Sequence, residues 1–109
     1  MNDWKTISDS AEKFRIANKK LPSLGEQVKY KILKVDYDKI VIKRLNGGKN
    51  TTVGKEGVTK AIKRLTEKGQ LKRKELISGV VRQTLLVACH PNIYWDKEKR
   101  IIYWKEELG

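Results

Sequence analysis

A single α+β domain is what this 109-residue sequence predicts, and three observations carry the expectation. Residues 28–53 alternate apolar and polar side chains with the period of strands. Residues 55–68 repeat apolar side chains with the period of a helix, and residues 92–104 hold two aromatic runs around a charged loop. One core suits this length. The expected order is an N-terminal helix, a three-stranded antiparallel meander, two to three further helices and a C-terminal β-hairpin.

The first helix is expected over about residues 8–20. Asp9 and Glu12 have the spacing of a capping box, with Ser8 as an alternative cap, and Ile7, Ala11, Phe14, Ala17/Asn18 and Leu21 recur at helical intervals. Pro22 and Gly25 then stop it. From Val28 the period becomes two: Val28, Tyr30 and Ile32 alternate with Lys29 and Lys31, which describes a half-buried strand with a basic outer face. Asp36-Tyr37-Asp38 turns the chain into the β-branched run Lys39 to Leu45. Asn46-Gly47-Gly48 is a hairpin signal, and Lys49 to Val53 returns as the third strand.

Val58, Ala61, Ile62 and Leu65 form one face of the clearest helix, which Gly69 terminates. A short helical unit is expected over residues 72–77, broken by Ser78-Gly79. Residues 80–89 follow as a third helix with Val81, Thr84, Leu85 and Ala88 on one face, although Thr84 to Cys89 also reads as a buried strand. The closing hairpin pairs Asn92 to Trp95 with Arg100 to Trp104 around Asp96-Lys97-Glu98-Lys99.

Charge is the most informative property. Of a formal net charge of +12, +11 lies in residues 28–83, the footprint of a polyanion binder, because each neutralised phosphate releases a counterion. No apolar stretch has the ~18–20 residues of a membrane span, and the N-terminus lacks the apolar core of a signal peptide, so a cytoplasmic protein without a membrane partner is expected. A single cysteine, Cys89, and a single histidine, His90, supply neither a disulfide framework nor a zinc site, and no cofactor is expected. Being sequence neighbours, their side chains diverge, which argues against a thiol–imidazole nucleophile and against an enzyme. Asp36 and Asp38 read as a turn pair.

The candidate nucleic-acid-binding residues fall in three groups. Lys29, Lys31, Lys43, Arg44 and Lys49 lie on the basic meander. Thr52 and Lys55 flank Gly54 at a strand-to-helix junction, where free backbone N–H groups suit a phosphate oxygen. Lys72, Arg73 and Lys74, backed by Lys68 and Lys63/Arg64, make a broad patch fit for backbone contact, and Lys60 lies with Lys63 and Arg64 on the outward face of the second helix. Tyr94, Trp95, Tyr103 and Trp104 divide between core and outward faces, where base stacking or a protein partner is open.

The order of residues 55–104, carried by Val58/Ala61/Ile62/Leu65, Arg73 to Gly79, Arg82-Gln83-Thr84 and Ile93 to Trp104, resembles a winged-helix DNA-binding domain. The resemblance implies a third helix in the major groove, with Arg82 and Gln83 at base edges, and a hairpin wing with Lys97 and Lys99 on DNA. Two features depart from it: the third helix is unusually apolar for a reading surface, and the basic meander has no place in a minimal winged helix. The function expected is nucleic-acid binding, double-stranded DNA first, as a small regulator or the recognition module of a restriction or mobile-element system. RNA or single strands are the alternative, and a third is a phage or archaeal-virus effector whose basic face meets an acidic protein. A homodimer or larger assembly is compatible with each.

Overall fold

The computed structural model describes residues 3–24, 28–45, 47–75 and 79–106. The fold is α+β: helices α1 (Asp3–Ile16), α2 (Lys55–Lys68) and α3 (Val80–Cys89) pack with two antiparallel sheets. The first sheet has the order β1-β2-β3-β4, from β1 (Lys20–Pro22), β2 (Lys29–Val35), β3 (Lys39–Arg44) and β4 (Thr51–Gly54). The second has the order β5-β7-β6, from β5 (Gln70–Lys72), β6 (Ile93–Asp96) and β7 (Ile101–Trp104). Among the described residues no helix is long and apolar enough to cross a membrane.

Helix α1 begins five residues before the expected start. Trp4 extends the apolar stripe of Ile7 and Ala11 by one turn, and its indole N–H donates to the Tyr37 carbonyl at 2.7 Å, so burial of a Trp outweighs the capping signal at Asp9. Ser8 sits inside the helix and bonds back to the Lys5 carbonyl. The helix also ends early. Asn18 adopts a left-handed conformation (φ 54°), with Asn18 N–H donating to the Arg15 carbonyl and Lys19 N–H to that of Phe14, the paired hydrogen bonds of a Schellman stop. That stop frees residues 20–22 to pair as β1, so the meander has four strands where three were expected. Pro22 is tolerated because β1 is an edge.

The second correction concerns residues 72–77. Leu71 is buried opposite Ile102 in β5, and residues 73–75 turn; the remainder of that expected helix lies outside the described residues. Pairing with β7 overrides a locally helical composition, as tertiary context does for short segments. Residues 80–89 form a helix, not a strand.

Tyr30, Ile32, Ile40, Ile42 and Val53 point inward from the first sheet onto the helices. Helix α3 packs against α1, β1, β4 and β6, with Gln83, Thr84, Leu85, Leu86 and Cys89 buried. It is the central core element. Its outward surface is reduced to Val80, Ala88 and parts of Val81, Arg82 and Val87.

Candidate nucleic-acid interface

Three basic features emerge, each assembled by strand pairing or packing between separate elements. The first is the solvent face of the four-stranded sheet. Strand alternation turns Lys29 and Lys31 of β2 and Lys39 and Lys43 of β3 away from the core, and register aligns Lys20 with Lys31 and Lys31 with Lys43. Three lysines therefore stand in one row across β1, β2 and β3. Like charges directly opposite one another destabilise a sheet, so the row costs folding energy that a bound polyanion would return. None of the three has a carboxylate within 4.0 Å among the described residues.

The second feature is a groove of about 430 Å³ lined, among the described residues, by Lys72, Arg73, Lys74, Lys99 and Arg100 and by no acidic residue, while Glu75 Oε1 accepts from the Lys72 N–H at 3.1 Å. The end of β5 and the turn after it supply three of these cations and the end of the β6–β7 loop supplies two, brought together because Lys72 pairs with Ile101. The loop is shaped by Asp96, whose Oδ1 accepts from the N–H groups of Glu98 and Lys99 at 3.0 and 3.1 Å. Arg100 then takes a left-handed conformation, φ 55°, where glycine or asparagine would fold more easily. On the other side, Arg73 Nε donates to Gln83 Oε1 and Gln83 Nε2 donates to the Arg73 carbonyl, both at 3.0 Å. Gln83 is thus a buried brace for the turn. Its amide is buried and engaged by Arg73, whereas the resemblance implies a side chain at a base edge.

The third feature lies beneath the first sheet. Arg44 pairs opposite Tyr30 on the inner side of β3, not on the outer face with Lys43, and reaches a groove also lined by Lys49, Thr51, Thr52 and Arg82. Arg82 is half-buried at the start of α3.

The remaining expected residues are dispersed. Lys63 and Arg64 are exposed on α2, while Lys60 pairs with Glu56 at 3.1 Å. Lys55 opens α2, its N–H bonded to the Asp38 carbonyl, and the cleft there also holds Asp38 and Glu56, whose charges oppose an anion. Lys20, Lys39 and Arg100 were missed. In the sequence pattern Lys20 falls at a helix end and Arg100 at the start of a strand, and only register gives either one its neighbours.

The aromatics divide as alternation requires. Trp95 and Trp104 pack on the core, while Tyr94 and Tyr103 stack across the hairpin at 5.4 Å with Tyr94 exposed. Cys89 and His90 are both buried. Burial pushes the Cys89 thiol up to about 11, and both His90 ring nitrogens are engaged, by Asp3 and by the Asn92 N–H. No group of three His, Cys, Asp or Glu side chains is placed to hold a metal among the described residues.

Comparison with protein-family models, with curated proteins and with solved structures finds no match.

Proposed function

We propose that the chain binds nucleic acid through its phosphate backbone, with double-stranded DNA as the first ligand, acting in the cytoplasm as a small regulator or as the recognition module of a larger DNA-processing assembly. The observation that carries this is the groove of Lys72, Arg73, Lys74, Lys99 and Arg100: five cations from the end of β5, the turn after it and the β6–β7 loop around one concavity, with no acidic side chain lining it among the described residues. Phosphate contacts of this kind position a duplex without reading it. The lysine row on the sheet and the left-handed Arg100 support the same reading, since each keeps a cation where folding alone favours another residue. The sequence of α2, β5, α3 and the β6–β7 hairpin keeps a winged-helix-like arrangement of residues 55–104 as part of the proposal, with the hairpin tip on DNA and α3 as support.

A mobility-shift titration at two salt concentrations tests it. With about six phosphate contacts, affinity for duplex DNA falls on the order of a thousandfold between 50 and 200 mM salt. Replacing Lys72, Lys74 and Arg100 together by Gln weakens binding to every sequence alike. A flat salt response overturns the reading, as does preference for an acidic protein over DNA. A second reading, RNA or single-stranded nucleic acid, is favoured by the exposed Tyr94 stacked on Tyr103, and single-stranded DNA and duplex RNA belong in the same panel.

A further inference from the structure

The groove beneath the first sheet is built differently from the two open basic surfaces. Its volume of about 540 Å³ lies within the ~300–1,000 Å³ of small-molecule sites. Val28, Tyr30, Val53 and Val80 give it apolar walls, Arg44, Lys49 and Arg82 add cationic side chains, and among the described residues no acidic one lines it.

Both arginines are seated on glycines. A Cβ on Gly57 would fall 2.6 Å from Nη2 of Arg82, so the first turn of α2 leaves bare the backbone position on which that guanidinium rests. A Cβ on Gly48 would fall 3.1 Å from Cδ of Arg44. Arg82 Nε is shut off from solvent with no hydrogen-bond partner among the described residues, a costly state for a charged donor. The N-cap of α3, Gly79, contributes no side-chain bond, and the first turn of that helix holds no acidic residue, so its partial positive charge adds to that of the guanidinium groups.

We propose that this groove takes one unpaired nucleotide of a bound nucleic acid, with its phosphate between Arg44 and Arg82 at the start of α3 and its base against Val28, Tyr30 and Val80. The inference rests on the nucleic-acid reading above and names the part of the ligand this site receives. Inorganic phosphate would leave the apolar walls wet, and a phosphate within an intact duplex keeps its base in the stack. A strand end, a flap or an extruded base satisfies both halves of the groove.

The test is an amide-shift titration of the full isotopically labelled chain with a deoxynucleoside 5′-monophosphate, the matching nucleoside and inorganic phosphate, beside mobility shifts on blunt and 5′-overhang duplexes. The expected result is shifts at Val28, Thr51 and Val80 to Arg82, monophosphate binding at least tenfold tighter than either fragment, and preference for the overhang. Arg82→Gln lowers monophosphate affinity at least tenfold and removes the preference for the overhang over the blunt duplex. Arg44→Gln, at an exposed side chain, repeats the test without touching the core. Equal binding of inorganic phosphate, or monophosphate affinity unchanged in both variants, overturns the inference. Salt-dependent duplex binding without monophosphate shifts overturns the groove alone, whereas monophosphate shifts without any duplex binding overturn the nucleic-acid reading on which it rests.

Discussion

Asp3 at the start of α1 and His90 at the end of α3 meet across 87 positions of sequence, with His90 Nε2 3.0 Å from the Asp3 carboxylate. Asn92 N–H donates to His90 Nδ1 at 3.1 Å, so the ring proton sits on Nε2 and is given to Asp3. The ring is fully buried and lies 5.0 Å from that of Trp104, so this pair ties the first helix to the third and to the hairpin.

Asp3→Ala therefore removes the acceptor of a buried N–H and is expected to cost about 1–3 kcal/mol of stability. Asp3→Asn keeps an oxygen acceptor and should lose much less. Urea melts of the two variants decide it; equal losses would show that the contact contributes through charge alone.

Lys31→Glu should move stability and binding in opposite directions. It turns two like-charge cross-strand pairs, Lys20 with Lys31 and Lys31 with Lys43, into opposite-charge pairs, each worth roughly 0.2–1 kcal/mol. The melting temperature rises, while affinity for duplex DNA falls and its salt dependence flattens. A variant that binds as well as the wild type takes the sheet face out of the interface.

Gln83→Leu retains the apolar volume of α3 but removes both hydrogen bonds to Arg73. A loss of about 1–3 kcal/mol in stability is expected. DNA affinity should weaken equally for all sequences, because the effect passes through the position of a phosphate-binding turn. Sequence selection on this variant is the check, and an altered preferred motif would restore Gln83 as a base reader.

The buried Cys89 thiol, raised from an ordinary 9.0 to about 11, stays protonated and unreactive at pH 8. Alkylation should be slow in the folded protein and fast in urea. A proton held more tightly by the folded state than by the unfolded one adds stability at pH values below 9.0, and this is lost as pH rises toward 11. The stability difference between wild type and Cys89→Ala should narrow across that window in pH-dependent melts; a constant difference would contradict the burial effect.

Local pattern alone determined the elements whose apolar residues repeat several times within one segment. Val58, Ala61, Ile62 and Leu65 commit residues 55–68 to a helix, and the β-branched runs around Asn46-Gly47-Gly48 and the charged loop 96–99 commit their flanks to strands. The α+β class and the concentration of charge were legible for the same reason. Strands β1 and β5 were not, because a three-residue strand buries one side chain, Leu21 or Leu71, and a single residue has no period. Their pairing, Leu21 opposite Tyr30 of the next strand and Leu71 opposite the distant Ile102, is decided by which apolar face each edge can cover. The site followed the same division. Composition showed that cations abound between residues 28 and 83, but register placed Lys20, Lys31 and Lys43 in one row, turned Arg44 to the inner side of its strand, and brought Arg100 to Lys72. Gln83 was withdrawn from the surface by α3 packing at the centre of the core, where a buried amide needs a partner and Arg73 is within reach.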